Sequence, residues 1–568
     1  MPDPISALRL GALLALALLG ACASNPPPEA DPPVRPPAAS EGGDANSHLV
    51  LAEIALQRGD YHVASREYAA AAQLSTDAAL ASQATRVAFA SSQNEFAAQS
   101  ARRWLMLDTA SADARRFLGV VALRLNRLNE ASDQFDRLVR TSYETPAAGF
   151  LDLATALSEE ENAYGVYRLL SDLSQRHPKV AEARYARSAA ALRAFNYKDA
   201  VDSGKRAVAL SDTLTDAKRV LARALVVSGS NDAGIDMARR DATASSEPDA
   251  KIELALLLIA SERDAEARSL LTSLLEQPEA RPEALRTLAT LELGDGNLDA
   301  AKTRFEELIG TGRYATLAYY LLGSIHERRK DELEAVRNYA RVTSGPYASD
   351  AQIRAARLLA SSGAADKANE LLNDYVVENP DAEVEITIGR ARLLADEGDS
   401  ATALELLDSA LQRYPDSEPL RYSRAVTLER LERIDDALAQ LEQLVEGRPR
   451  DPVALNALGY TLAEHNRELK RAKSLIGDAL KMTPDNPAVQ DSMGWVQYRL
   501  GKNRDALKWL ERAFESEHDG EIAAHVGEVY WALGERTRAR EIWEKALAED
   551  PDHRYLRKTV QRHPDGVQ

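Results

Sequence analysis

Residues 519–549 read DGEIAAHVGEVYWALGERTRAREIWEKALAE, and this stretch predicts two consecutive helices. Its apolar and small residues recur at the three- and four-residue spacing of amphipathic helices. Gly527, Tyr530, Ala539, Trp543 and Ala546 supply the apolar face of one pair of helices. A single pair of this size has too little core to stand alone, so the stretch predicts stacking on similar neighbours.

The same pattern recurs along the chain in steps of 33, 34 or 35 residues. Small residues occupy fourteen of the fifteen positions that define this register, and Arg86 occupies the remaining one. The fourteen are Ala52, Gly119, Ala154, Ser188, Ala222, Ala255, Ala289, Gly323, Ala356, Ala391, Ala425, Gly459, Gly494 and Gly527. The residue twelve positions later is alanine in twelve of the fifteen cases. The register therefore marks the points where two helices cross closely.

Prolines mark the ends of the same units. Six of them fall 24 or 25 residues after a crossing position, where a second helix must end: Pro178, Pro380, Pro415, Pro449, Pro484 and Pro551. This pattern matches the tetratricopeptide repeat, which places two antiparallel helices in about 34 residues. The sequence predicts an all-α superhelical solenoid of about fifteen helix pairs over residues 46–553, followed by a capping helix and tail at 554–568.

Three positions depart from the repeat. Val166 and Gly234 replace the expected alanine, and one residue is inserted before Ala472. We expect bends in the array at these units.

Composition excludes several classes of protein. The 568 residues carry 88 acidic and 70 basic side chains, for a formal net charge of -18, and a single cysteine. One cysteine allows neither an internal disulfide nor a cysteine-rich metal site. The acidic balance argues against nucleic acid as a partner, because phosphate contacts need clustered Lys and Arg. Aromatic residues make up only 6% of the chain, which favours alanine-rich helices over sheets.

The amino-terminal segment has the pattern of a signal peptide followed by a membrane-attached spacer. Leu10 to Gly20 is an apolar run too short to span a bilayer, which indicates a signal peptide at residues 1–21. The sequence Leu19-Gly20-Ala21-Cys22 resembles the bacterial lipobox, which implies lipidation of Cys22 and a membrane anchor. The alternative is an ordinary secretory signal with an incidental cysteine. Residues 22–45 then form a proline-rich spacer, which extends by about 3.1 Å per residue.

Residue 23 bears on localisation. In lipoproteins of the enteric type an aspartate after the lipidated cysteine retains the protein at the inner membrane. Here that residue is Ala23, so the resemblance implies the periplasmic face of the outer membrane.

No catalytic, cofactor or metal constellation is predicted. Asp295, Asn297, Asp299 and Glu306 match four positions of a calcium-binding loop, but Ala300 stands where the loop requires glycine. His518 and His525 lack the spacing of a zinc helix. Gly501-Lys502 lacks the preceding glycine of a phosphate-binding loop, and no GxSxG elbow occurs. We therefore expect no enzyme.

A partner-binding groove is predicted in the last three units. Residues three before and one, four and five after each crossing position point inward in tetratricopeptide arrays. This rule selects a set that is both aromatic and polar, and such side chains are typical binding anchors. The set is Asn456, Tyr460, Asp491, Trp495, Tyr498, Arg499, Glu528 and Trp531. For Trp495, Tyr498 and Trp531 the alternative is packing between units. Trp509 and Trp543, on second helices, are interpreted as packing residues.

The same rule also selects arginines. Arg116, Arg219, Arg223, Arg286, Arg357 and Arg392 point inward by this criterion. They fit either an acidic partner segment or a face on which each arginine pairs with a neighbouring carboxylate. Asn456 stands nearly alone as a residue of the clamp type that grips a chain terminus, so capture of a terminus is not expected.

Three motifs carry a resemblance to a known family. They are Ala457-Leu458-Gly459-Tyr460-Thr461-Leu462-Ala463, Asp491-Ser492-Met493-Gly494-Trp495-Val496 and Gly527-Glu528-Val529-Tyr530-Trp531. With the lipobox and spacer, they make the chain similar to tetratricopeptide outer-membrane lipoproteins of Gram-negative bacteria, in particular to the lipoprotein partner of a periplasmic carboxy-terminal processing protease. The likeness covers roughly residues 19–560.

That resemblance implies a function. The expected role is an adaptor that binds the protease and helps it degrade cell-wall hydrolases. The alternative is a scaffold for envelope assembly or export machinery, such as polysaccharide export, pilus assembly or outer-membrane protein insertion. An enzyme comes last, because no converging catalytic groups are found.

Overall fold

A computed structural model describes residues 44–245, 247–415, 417–551 and 553–563. Its described residues contain helices and turns but no strand, which confirms the predicted all-α class. The chain divides into two compact units, with the boundary between Leu288 and Ala289. The predicted signal peptide, Cys22 and most of the proline-rich spacer lie outside the described residues.

The described residues form fifteen successive helix pairs and one terminal helix. In the unit that ends at Leu288, together with the helix that contains the boundary, the helices are α1 (Ala45–Gln57), α2 (Tyr61–Leu74), α3 (Ala78–Ala90), α4 (Asn94–Leu107), α5 (Ala112–Arg124), α6 (Leu128–Thr141), α7 (Pro146–Ala156), α8 (Ala163–Arg176), α9 (Ala181–Arg193), α10 (Tyr197–Leu210), α11 (Thr215–Val227), α12 (Asn231–Ala244), α13 (Pro248–Ala260), α14 (Asp264–Leu274) and α15 (Arg281–Gly294).

The second unit continues the same alternation. Its helices are α16 (Leu298–Gly310), α17 (Ala315–Arg328), α18 (Glu332–Tyr339), α19 (Ala348–Ser361), α20 (Ala365–Glu378), α21 (Glu383–Asp396), α22 (Ser400–Arg413), α23 (Glu418–Arg430), α24 (Ile434–Gly447), α25 (Pro452–Glu464), α26 (Leu469–Met482), α27 (Pro487–Arg499), α28 (Asn503–Ser516), α29 (Gly520–Ala532), α30 (Arg536–Glu549) and α31 (Arg554–Arg562). A short 3₁₀ turn at Pro380–Ala382 precedes α21. Among the described helices, none is both long and apolar enough to cross a membrane.

Capping side chains explain where the first helices of the last three pairs begin. Asp451, Asn486 and Asp519 each accept hydrogen bonds from backbone N–H groups in the first turn of α25, α27 and α29. Such caps satisfy donors that have no partner within the helix. Pro452 and Pro487 fill the first helical position, where a missing N–H costs nothing.

The glycine crossings were correctly predicted, because each glycine meets a large side chain of its partner helix. A β-carbon at Gly527 would overlap the indole of Trp543, and one at Gly323 would lie 2.6 Å from the ring of Tyr339. Gly494 faces Leu510 in the same way. In these three pairs the facing side chain lies sixteen residues after the crossing position, so repeat length and packing are linked.

The register is off by one residue in two pairs. In the second pair the buried crossing residue is Thr85, and Arg86 instead places its guanidinium over the rings of Trp104 and Phe117. In the fourth pair it is Leu153, which is fully buried, while Ala154 is partly exposed. A sequence search for small residues missed both positions because a threonine and a leucine fill them.

Turn geometry agrees with the register, including its correction in the second pair. In fourteen of the fifteen pairs, a residue seven positions after the crossing has a positive φ and turns the chain into the second helix. These residues are Gly59, Ser92, Asn126, Phe195, Gly229, Glu262, Gly296, Lys330, Gly363, Gly398, Glu432, Asn466, Gly501 and Gly534. The fourth pair instead joins α7 to α8 through residues 157–162. The residue inserted before Ala472 is accommodated by a second left-handed residue, Glu468.

Candidate partner-binding groove

The eight residues predicted to line a binding groove lie on three neighbouring first helices, with Arg499 on α27 and Glu528 on α29. Asn456 and Tyr460 are on α25, Asp491, Trp495 and Tyr498 are on α27, and Trp531 is on α29. Helix α27 packs against α25 and against α29. The rule of inward positions therefore selects one continuous set of helices.

The centre of this set is a buried charged cluster around His525 of α29. The His525 ring is completely buried, and its Nδ1 lies 2.9 and 3.0 Å from the two carboxylate oxygens of Asp491. Its Nε2 lies 3.1 Å from the hydroxyl of Tyr555 on α31. The indole of Trp495 stacks on the same ring, with centroids 4.0 Å apart.

Electrostatics keep this imidazole charged. Burial by itself lowers the pKa of His525, but the charge and hydrogen bond of Asp491, together with the charges of Glu521 and Glu464, raise it to about 9. A protonated ring donates from both nitrogens, one to Asp491 and one to Tyr555. The cluster thus links α27, α29 and the terminal helix.

Trp495 was expected to be an exposed anchor, and that expectation is wrong. Its side chain is 1% exposed, and its Nε1–H donates a 2.8 Å hydrogen bond to Glu464. Because the ring also stacks on His525, it forms part of the floor of the groove and does not face solvent. The packing alternative applies to Trp495, and Asp491 is likewise buried against His525.

Trp531 is partly exposed but contacts its own chain. Its ring lies 5.9 Å from Trp543 and 5.0 Å from His563, which follows α31. The guanidinium of Arg536 stands 4.9 Å from the same ring. A role in partner binding stays a prediction for Trp531, as it does for Asn456, Tyr460, Asp491, Trp495 and Tyr498.

Exposed side chains at inward positions are found on α23, which precedes the three helices of the predicted set. Tyr422 and Val426 occupy the inward positions of that helix and are 38% and 39% exposed. On α25, Tyr460 donates its hydroxyl hydrogen to Glu521, and burial with the nearby carboxylates raises the pKa of Tyr460 well above its usual value. Asn456, one turn before Tyr460, has its Oδ1 shielded from solvent and without a hydrogen-bond partner among the described residues.

Four residues of the groove were not selected from the sequence: Glu464, Glu521, His525 and Tyr555. Glu464 lies five residues after Gly459, so the inward rule itself would have included it. Glu521 and His525 lie outside that rule, six and two residues before Gly527. Tyr555 comes from the terminal helix, which has no repeat register.

The inward arginines are mostly paired, which favours the second of the two interpretations. Arg116 meets Asp152 at 2.7 Å, Arg219 meets Asp241 at 3.0 Å, and Arg223 makes two contacts with Glu253 at 2.5 and 2.6 Å. Arg286 pairs with Glu283, and Arg357 pairs with Glu327. Arg392 is exposed. We use "arginine face" for these six residues.

The loop compared with a calcium site has a different structure. Leu298–Gly310 is α-helical, and Asp299 forms an ion pair with Arg329 at 2.7 Å. A helix from Leu298 onward does not wrap its side chains around an ion as the loop does. No group of three or more His, Cys, Asp or Glu side chains in the described residues is arranged to hold a metal ion.

Comparisons with known proteins agree with the helix pairs. Tetratricopeptide-repeat family models match residues 286–351, 394–459 and 492–554. A tetratricopeptide repeat-containing protein of Pseudomonas aeruginosa is 32% identical over 211 residues, which cover 37% of this chain and 36% of that relative. The match therefore spans about a third of the relative's length.

The comparison with solved structures returned two tetratricopeptide proteins, among others. A thermophilic tetratricopeptide protein of Thermus thermophilus is 25% identical, with a TM-score of 0.29, covering 31% of this chain and 97% of that one. A tetratricopeptide repeat protein of Parabacteroides merdae is 14% identical, with a TM-score of 0.33, covering 43% and 97%. The family models and the sequence match show tetratricopeptide repeats at the matched residues, and the chain is homologous over 211 residues to the Pseudomonas protein.

Proposed function

We propose that the chain is a lipid-anchored periplasmic adaptor. It binds a carboxy-terminal processing protease and helps that protease degrade cell-wall hydrolases. Stacked tetratricopeptide pairs bind protein partners, and the family models that match the chain are those of this interaction repeat. The choice of a protease and its substrates as partners rests on the resemblance carried by the three motifs around Gly459, Gly494 and Gly527.

One structural observation supports binding at the carboxy-terminal end. Tyr422 and Val426 leave apolar surface exposed on α23, and Glu521, which accepts the Tyr460 hydroxyl hydrogen, lies within electrostatic range of Tyr422. Exposed aromatic side chains above a rigid, well-packed floor are favourable anchors, because little side-chain freedom remains to be lost on binding. An adaptor also gains from holding two partners together, since a shared scaffold can raise their avidity about 100-fold or more.

The anchor and the location belong to the same proposal. Lipidation of Cys22 would attach the chain to the periplasmic face of the outer membrane, and residues 22–45 would act as the spacer. Several acyl chains on one cysteine give durable attachment, because each buried CH₂ contributes about 0.8 kcal/mol. Labelling with radioactive palmitate tests this point, with Cys22→Ser as the variant that must lose the label.

A capture experiment from solubilised membranes tests the adaptor role. The tagged full-length chain is compared with a Tyr422→Ser plus Val426→Ser variant, which removes exposed side chains only. A matched control carries Leu333→Ser plus Val377→Ser, which removes exposed apolar side chains from second helices. Captured proteins are identified by mass spectrometry.

We expect the wild type and the control to recover a periplasmic processing protease together with cell-wall hydrolases. The Tyr422→Ser plus Val426→Ser variant should recover several-fold less of both. Recovery of polysaccharide-export, pilus or outer-membrane insertion components in place of the protease would contradict the adaptor and support an envelope scaffold.

A further inference from the structure

Two carboxylates in the groove lack the arginine partners found elsewhere on the inward face. Glu464 accepts a hydrogen bond from the Trp495 indole, and Glu521 accepts one from the Tyr460 hydroxyl. Within the part of the chain that the structure describes, neither forms an ion pair with a lysine or arginine. Neutral donors solvate a carboxylate but do not compensate its charge.

Among the described residues, the basic groups near Glu464 and Glu521 are engaged with other side chains. Asp491 is paired with His525, and Glu528 with Arg562 at 3.3 Å. Arg499 lies over the ring of Trp495, 5.7 Å from its centroid. The positive charge of His525 is therefore shared between its contact with Asp491 and the more distant Glu464 and Glu521.

The cost of this arrangement shows at Glu521. Burial raises the pKa of its carboxyl group, against the opposing effects of His525 and the Tyr460 hydrogen bond. A cation placed beside Glu521 would lower that pKa again, because it favours the charged form. The groove thus has a position at which an added positive charge is stabilised.

Aromatic and amide groups lie on α23 and α25. The charges of Glu429 and Glu521 help burial to raise the pKa of Tyr422, so the exposed Tyr422 ring lies within electrostatic range of Glu521. Tyrosine faces attract ammonium and guanidinium groups. The unpartnered Oδ1 of Asn456, on the same helical face as Tyr460, is an acceptor that needs an N–H donor.

We propose that the groove formed by Tyr422, Val426, Asn456, Tyr460, Glu464 and Glu521 binds a lysine or arginine side chain of a protein partner, flanked by apolar residues. Charge complementarity selects this occupant: the cation meets Glu464 and Glu521, and its apolar neighbours cover Tyr422 and Val426. The inference rests on the proposed protein-binding function but names the chemistry of the bound segment.

A displayed library of random twelve-residue peptides tests this chemistry. It is selected on the purified full-length chain, and the affinities of the enriched peptides are then measured by fluorescence anisotropy. The groove variant is Glu464→Gln plus Glu521→Gln, because the amide oxygen still accepts from Trp495 and Tyr460. The control is Glu541→Gln plus Glu544→Gln on the exposed face of α30, which removes the same amount of charge from the same end of the chain.

We expect enriched peptides to carry a lysine or arginine beside apolar residues. They should bind the groove variant at least about tenfold more weakly, and the control within about twofold of wild type. Replacing the basic residue with norleucine should have the same effect as the groove variant. Enrichment without a basic residue, equal losses in both variants, or no enrichment at all would overturn the proposal.

This outcome is separable from that of the capture experiment. If basic peptides bind through Glu464 and Glu521 but no protease is captured, the adaptor fails and the groove chemistry stands. If the protease is captured equally well by the wild type and by the Glu464→Gln plus Glu521→Gln variant, the adaptor stands and this inference fails.

Discussion

Two regions of the inward surface treat charge in different ways. In the unit that ends at Leu288, Arg116, Arg219 and Arg223 each meet a carboxylate within 3.0 Å. In the other unit, near its end, Glu464 and Glu521 are held by an indole and a phenol hydroxyl. Charge on the inward face can thus be neutralised by the chain itself or left for a partner to neutralise.

The difference is local and does not follow from the net charge of the chain. Where a first helix carries arginine, the next one often carries a carboxylate about 30 residues away, as in Arg223 with Glu253. Around Glu521 the neighbouring first helices supply tyrosine and tryptophan instead. We infer that the arginine face serves structure, and that the carboxy-terminal groove serves binding.

Breaking a pair on the arginine face should give the largest effect. Arg223→Met leaves Glu253, which is 7% exposed, as a buried charge without its partner. We expect the free energy of unfolding to fall by about 3 to 5 kcal/mol. Hydrogen exchange should place the loss in α11–α13. Arg239→Met, which removes an exposed pair with Glu266, should cost less than about 1 kcal/mol; equal losses in both variants would contradict this account.

Raising the pH should lower the stability of the last helix pair and the terminal helix, which the His525 cluster joins. The folded chain holds the His525 proton more tightly than the unfolded chain, since its pKa is raised from 6.5 to about 9. Stability from this proton is complete below about pH 6.5 and is lost as the pH rises to about 9, an effect of about 3 kcal/mol. Denaturation followed by tryptophan fluorescence measures it. Asp491→Asn should flatten the profile, and an unchanged profile would show that Asp491 does not hold the proton.

Removing the groove carboxylates should have the opposite sign from removing Arg223. The raised pKa of Glu521 means that its charged form is disfavoured by burial. Glu464→Gln plus Glu521→Gln should therefore leave the free energy of unfolding unchanged or raise it by up to about 1 kcal/mol. Chemical denaturation at pH 7 provides the test. A clear destabilisation would mean that these carboxylates are structural.

The exposed side chains should matter least for stability. Tyr422→Ser plus Val426→Ser removes partly solvated surface, so the free energy of unfolding should change by no more than about 0.5 kcal/mol per substitution. By contrast, Trp495→Ala should be strongly destabilising, because it empties a buried position. Thermal denaturation compares the two. Similar melting temperatures for both variants would contradict the placement of Trp495 in the floor.

The fold was predictable because its repeats impose one spacing on many residues. Gly323, Gly494 and Gly527 mark crossings that only a residue without a side chain permits, so their spacing revealed the helix pairs. The prediction slipped by one residue at Thr85 and Leu153, because depth of burial decides a crossing and residue size only correlates with it.

The candidate site was only partly predictable, for a different reason. The inward rule selected three neighbouring first helices but could not tell that Trp495 is covered by His525. That contact joins residues of two successive helix pairs, and the terminal helix supplies Tyr555 from outside the register. A histidine among apolar residues at position 525 was the available signal, since a buried imidazole requires polar partners.

Site-specific crosslinking tests the division between the two faces most directly. A photoreactive benzoylphenylalanine replaces Val426 in the groove or, in a second strain, Arg392 on the arginine face, and the full-length chain is irradiated in cells. We predict protein adducts from position 426, joined to peptides that contain a lysine or arginine and lost in the Glu464→Gln plus Glu521→Gln background. Adducts from position 392 alone, or adducts from position 426 that survive the loss of both carboxylates, would contradict the account.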